Sequence, residues 1–199
     1  MAKTVAVLAV QGAFIEHEAI LTRLGARTVE LRRGEDLRQG FDALVLPGGE
    51  STVQGKLLRE EGMLDVLRAL IAGGMPVLGT CAGLILLARH IERGFAHGGG
   101  DGNLHGRVHL ATLPVTVRRN AYGRQLGSFR VIAPYGGAGE LSMTFIRAPR
   151  IMAVDAGVDV LARVDGMPVA VRSGNQLACA FHPELGGSTL VHEQLLGMI

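Results

Sequence analysis

The chain has 199 residues, 48% hydrophobic and 19% charged, which suits one domain with a full core and excludes disorder of the whole. A net charge of +2, with acids and bases interleaved, leaves no nucleic-acid or membrane footprint. Two cysteines, Cys81 and Cys179, exclude a disulfide framework and a CxxC metal signature.

The N-terminal MAKTVAVLAVQGAF has one lysine and an apolar run too short for a membrane span, with no small-residue cleavage site behind it. A reduced, cytoplasmic setting is therefore the expectation. Thr4–Val10 is continuously apolar and β-branched, the pattern of a strand covered on both faces. EHEAILTRLGA predicts a helix ended by Gly25, RTVELR a strand, and FDALVLPGG another buried strand stopped by Pro47 and two glycines. Between Ser51 and Ala72, Leu57, Leu58, Leu64, Leu67 and Ile71 recur at helical spacing. That predicts one helix, capped by Ser51 or Thr52 and ended by Gly73–Gly74. MPVLGTC and AGLILLARHI predict a further strand and helix. Such alternation means a mostly parallel sheet with helices on both faces.

After His90 the pattern changes. Gly94–Gly106, GFAHGGGDGNLHG, reads as a mobile surface loop, and it fits neither GxGxxG nor GxxxxGK[ST] phosphate cradles. Strand-like pieces follow: VHLATLPVTV, MTFIRA, VDVLARV, PVAVRS and QLACAFHP, before a closing helix in STLVHEQLLGMI. The expected fold class is α/β, a mostly parallel central sheet with antiparallel strands added in the second half. With no linker and no repeat, residues 1–199 read as a single domain.

Three pieces carry candidate chemistry. Gly79-Thr80-Cys81-Ala82-Gly83 places a cysteine between glycines where a strand hands over to a helix. In a nucleophile elbow the glycines relieve crowding, and the N-terminal end of the helix favours a thiolate and offers N–H groups to an oxyanion. A small buried hydrophobe flanked by close-packing glycines reads the same five residues equally well. In FHPEL, Pro183 stiffens the segment and pushes His182 into extended backbone. Residues two apart in an extended segment share a side, so Glu184 could orient the imidazole of His182 as base and then acid. In LPGGES, Gly48 and Gly49 could turn N–H groups toward an oxyanion together with the amide of Ala82, or simply form a turn before a helix.

These pieces resemble the class I, triad-type glutamine amidotransferases. More specifically, VLAVQGAFIEH, LPGGEST, GTCAGLI, RRNAYGRQLGSF, FIRAP and FHPEL are similar, in order and over nearly the whole chain, to the glutaminase subunits of pyridoxal 5'-phosphate synthase. The resemblance implies a flavodoxin-like sheet, Cys81 as nucleophile, and His182 and Glu184 completing the triad. It further implies glutamine contacts at Gly48, Gly49, Glu50, Arg119, Ile146 and Arg147, and a separate synthase subunit that receives the ammonia. The segment from His97 to Val117 departs from the family pattern, which is tighter and carries an acid where Pro114 falls.

A guanidinium can grip an α-carboxylate with two parallel hydrogen bonds, so Arg119 and Arg147 suit glutamine recognition, though either could equally be a surface ion-pair partner. His17, His90, His97, His105, His109 and His192 show no metal-ligand spacing and receive no role. Cys179 in QLACAF reads as core packing. The glutaminase half-reaction needs no cofactor, and the only lysines, Lys3 and Lys56, sit in no pyridoxal-binding context. Two other readings compete: a cysteine hydrolase acting on peptides, and a catalytically silent regulatory subunit. HPE with LPGGES argues against the first, and an intact Cys81, His182 and Glu184 against the second.

Overall fold

Val5, Ala6, Val7 and Leu8 are all fully buried, as a strand covered on both faces requires. They form β1 (Thr4–Leu8), followed by α1 (Phe14–Arg23), β2 (Arg27–Leu31) and β3 (Ala43–Leu46). The computed structural model describes residues 2–92, 108–119 and 128–199; the loop expected over Gly94–Gly106 lies outside them, as does most of RNAYGRQ.

The helix expected from Ser51 to Ala72 is two helices, α2 (Ser51–Glu60) and α3 (Leu64–Ala72). Gly62 takes φ +68°, with its N–H bonded to the Arg59 carbonyl and that of Met63 to the Leu58 carbonyl. This left-handed closure satisfies the last carbonyls of α2 and turns the chain before α3 begins. Its signal was a single glycine inside a periodic pattern that continues, with buried Leu64, Leu67 and Ile71, on the far side. Gly25 and Gly74 end α1 and α3 with the same pair of hydrogen bonds, as expected. The cap of α2 is neither Ser51 nor Thr52. The Glu50 carboxylate accepts from the N–H groups of Thr52 at 3.1 Å and Val53 at 2.7 Å.

Beyond β4 (Val77–Thr80), the expected helix over AGLILLARHI is shorter. Helix α4 (Ala82–Leu87) ends where Leu86 O accepts the N–H of Leu110, and the chain straightens into β5 (Ala88–Glu92). A distant segment thus supplies the partner that stops it. The second half contains β6 (Leu113–Arg118), β7 (Ser128–Pro134), β8 (Glu140–Ile146), β9 (Arg150–Val154), β10 (Asp159–Val164), β11 (Met167–Ser173), β12 (Gln176–Cys179) and α5 (Leu190–Leu196). β7 and β9 were not read from the sequence, and the strand expected over VHLATLPVTV begins only at Leu113.

The central sheet runs β10-β11-β12-β4-β3-β1-β2, parallel from β12 to β2 and antiparallel through β10 and β11. Helices flank it. A three-stranded sheet, β5-β6-β9, and the β7-β8 hairpin form the added part; in the former β5 and β6 are parallel and β6 and β9 antiparallel. β4 lies between β3 and β12, with Leu46 paired to Gly79 and Cys179 to Thr80. The carboxyl ends of β12, β4, β3 and β1 therefore stand side by side, the edge at which open parallel sheets gather their sites. No helix among the described residues is long and apolar enough to cross a membrane.

Candidate active site

Cys81 follows β4 directly and caps α4 with φ +47° and ψ −96°, a backbone conformation that costs a non-glycine residue about 1–3 kcal/mol. The flanking glycines are needed there. A Cβ on Gly83 would sit 2.0 Å from the carbonyl oxygen of Leu46, so only glycine lets α4 ride this close over β3. The side chain of Cys81 is buried and its Sγ lies 3.9 Å from the carbonyl oxygen of Ile146. Cys81 thus stands on a sharp strand-to-helix turn whose close packing is made by the glycines beside it.

His182 arrives from the end of β12 and is fixed by its N–H bonding to the Thr144 carbonyl at 2.8 Å. Its Nδ1 lies 2.6 Å from Glu184 Oε1. The partner is the one expected, but the local frame differs: Pro183–Leu185 is a 3-10 turn rather than an extended segment, and the turn folds the carboxylate back onto the imidazole. Burial works against a charged His182, yet hydrogen bonds to Cys81 and Glu184, and their negative charge, outweigh it and push its pKa up to about 10. Glu184 thus holds His182 from behind, while His182 and Cys81 line the same cavity.

Gly48 packs against the imidazole so closely that a Cβ there would stand 2.3 Å from His182 Cε1. Its carbonyl accepts the N–H of Ala13 at 3.1 Å, which sets the plane of the Gly48–Gly49 peptide. A cavity of about 360 Å³ opens over Cys81, and Gly49, Glu50, Arg119, Ile146, Arg147 and His182 line it. That volume lies at the lower end of the roughly 300–1,000 Å³ typical of small-molecule clefts. Gly48 and Ala82 stand beside it rather than in its wall, and Glu184 lies behind His182.

Glu50 and Arg119 are partnered. Arg119 Nη2 donates to Glu50 Oε1 and to Thr52 Oγ1, each at 2.9 Å. Burial opposes ionisation of Glu50, but the N–H groups of Val53 and Thr52, the Thr52 side chain and Arg119 hold its pKa below the usual value. Arg147 is exposed and takes φ +43°, placing a second left-handed residue across the cavity from Cys81.

Sequence reasoning missed Gln11, Ser51 and Ile85 in the cavity wall. Gln11 Oε1 accepts the N–H of Glu50 at 2.8 Å, bracing the glycine loop. It also gave no role to His17 and His192, which are fully buried behind Glu184. VLAVQGAFIEH contained both Gln11 and His17, but spacing alone says nothing about which loop or acid they meet. Cys179 is buried with its Sγ 3.4 Å from the Phe181 carbonyl, and burial pushes its thiol pKa well up, as core packing implies.

The model of the SNO glutamine amidotransferase family matches residues 7–199. The chain is 55% identical to the pyridoxal 5'-phosphate synthase subunit PdxT of Methanocorpusculum labreanum, covering 98% of this chain and 97% of that one. It is 46% identical to PdxT of Streptococcus pneumoniae, over 98% and 96% of the two chains. A solved structure described as a glutamine amidotransferase superposes with a TM-score of 0.87 at 42% identity, covering 98% of this chain and 97% of the other. On sequence and fold together, the chain belongs to the SNO glutamine amidotransferase family.

Proposed function

We propose that this chain is the glutaminase subunit of a pyridoxal 5'-phosphate synthase and that Cys81, His182 and Glu184 are its catalytic triad. The observation that carries the reading is the 2.6 Å contact between His182 Nδ1 and Glu184 Oε1 behind a strained cysteine elbow. The Cys81 thiolate adds to the side-chain amide carbon of L-glutamine, and the resulting oxyanion is met by the backbone N–H of Ala82 and by the Gly48–Gly49 loop. The imidazolium of His182 gives its proton to the nitrogen as the C–N bond breaks, releasing ammonia and leaving a thioester. His182 then takes a proton from water, which attacks the thioester to release glutamate and regenerate the thiolate. Glu184 holds the imidazole in the tautomer that serves both steps.

Arg147 and Arg119 would bind the α-carboxylate, with Gly48, Gly49, Glu50 and Ile146 completing the substrate contacts. Ammonia passes to the synthase subunit for assembly of the pyridoxal ring. The whole of residues 1–199 serves as one glutaminase domain. Both cysteines are free, and a thiolate nucleophile suits the reducing cytoplasm.

The test is to measure glutamate formation from glutamine by the purified chain, alone and with rising amounts of a synthase subunit co-purified with it. Saturable glutamate production, with ammonia incorporated into the synthase product, is expected. Turnover of peptides in preference to glutamine, or no glutamate in either arm, would overturn the assignment.

A further inference from the structure

Glu184 has two carboxylate oxygens in a fully buried side chain, and the triad uses one of them. The other, Oε2, is sealed from solvent and makes no full hydrogen bond; it lies 3.4 Å from Nε2 of His17, which reaches it from α1. A buried carboxylate oxygen left without a donor is costly, so the proton on His17 has a strong reason to sit on Nε2. Two neighbouring contacts and one unpartnered atom decide whether it can. His17 Nδ1 lies 2.8 Å from His192 Nε2, His17 Nε2 lies 3.3 Å from Thr80 Oγ1, and His192 Nδ1 is buried without a partner.

Only two neutral arrangements fit the short histidine pair. In one, His17 carries its proton on Nδ1 and donates to His192. His192 must then hold its own proton on Nδ1, an orphaned buried donor, and although Thr80 Oγ1 can donate to the His17 Nε2 lone pair, Glu184 Oε2 is left with no donor at all. In the other, His192 donates from Nε2, His17 accepts at Nδ1, and the His17 proton on Nε2 points at Glu184. The unpartnered His192 Nδ1 is then merely a bare acceptor, which proteins tolerate better than an unpaired donor. Both rings are neutral: burial and the charge of its neighbours His192 and His182 drive the His17 pKa well down, and burial with Arg23 nearby lowers that of His192 to about 4.

We infer that His17 is a positioning residue, donating from Nε2 to the free oxygen of Glu184, with His192 locking it in that tautomer. The inference rests on the glutaminase reading for its kinetic part alone. The triad is thereby extended to a buried line, Cys81–His182–Glu184–His17–His192, drawn from β4, β12 and its following turn, α1 and α5. Thr80, the residue preceding Cys81, ties His17 back to the nucleophile's strand. Because the His17 donor meets the carboxylate oxygen that His182 leaves free, removing it should loosen the carboxylate's hold on the imidazole.

The test uses the full chain bound to its synthase subunit. His17→Leu removes the donor, and His17→Gln returns an N–H at the position of Nε2. His17→Leu is expected to lower kcat on the order of ten-fold or more, as loss of an orienting outer partner does, with KM little changed. His17→Gln should recover the rate, because it restores the donor and not merely the volume. Equal losses of kcat in the Leu and Gln variants would overturn the inference, since mere packing would do that. Nitrogen-15 NMR of the wild-type chain gives an answer independent of activity and of any variant's folding. Neutral Nε2–H forms of both His17 and His192 are expected; an Nδ1–H or doubly protonated His17 would refute the arrangement. Absence of glutaminase activity in the wild type would instead strike the functional reading, leaving the tautomer result to stand or fall by itself.

Discussion

Gly48→Ala tests the site at its tightest point. The added Cβ would lie 2.3 Å from Cε1, 2.9 Å from Nδ1 and 3.3 Å from Nε2 of His182. Carbon atoms rest at roughly 3.5–4.0 Å, so the imidazole must retreat by more than about 1 Å. It has little freedom to do so, with Nδ1 held at 2.6 Å by Glu184 and the backbone held by Thr144. A displacement of about 1 Å in a catalytic group costs on the order of a hundred-fold in rate, or about 2.7 kcal/mol of barrier. The assay is steady-state glutamate formation by the chain bound to its synthase subunit, with thermal melting to show that the variant is folded. Gly40→Ala is the control, since nothing lies within 4 Å of a Cβ there. If Gly48→Ala keeps the wild-type kcat, His182 is not the group that moves the proton, and the reasoning fails.

Cys81→Ala should abolish ammonia release while leaving the fold intact, whereas Cys179→Ala should keep activity and lose about 1 kcal/mol of stability in a denaturant titration; the reverse pattern would exchange their roles. Arg147→Ala is expected to weaken glutamine binding roughly ten- to a hundred-fold, the worth of about 1.5–3 kcal/mol for a charged hydrogen bond, and an unchanged apparent affinity would remove it from the site. Stability should depend on pH through His182. Its folded pKa is raised to about 10 from an unfolded value near 6.5, so its contribution is complete below pH ~6.5 and is lost as pH rises through about 10. The gap in unfolding free energy between wild type and His182→Gln should therefore shrink between pH 6 and pH 10; a constant gap would contradict the charged pairing with Cys81 and Glu184.

The parallel half of the fold was legible because residues 5–8, 43–46 and 77–79 are buried on both faces and carry no polar side chain. The same uniformity hid the end of α4: an apolar run does not show where a carbonyl of Leu86 will meet the distant N–H of Leu110. Gly62 was hidden for a related reason, since the leucines on either side keep helical phase across the break. Of the site, Cys81, His182 and Glu184 were readable because glycines and a proline mark unusual backbone locally. Gln11 as a brace, and His17 and His192 behind the acid, depend on contacts across 39 to 175 residues of chain. No local pattern encodes those.

Helix α1 touches the site at two heights: the N–H of Ala13, just ahead of its first turn, holds the Gly48 carbonyl, and His17 reaches Glu184. The two are four residues apart, a rise of about 6 Å and little more than one helical turn. Inserting or deleting a single residue between them would swing His17 by about 100° around the axis, away from the acid, while the glycine loop kept its own partner. The first turn of α1 is thus closed to changes in length although Ile15 within it is largely exposed. Substitutions on its outer face should be tolerated where insertions are not, and in any set of functional variants of this protein the spacing between Ala13 and His17 is expected to stay at four.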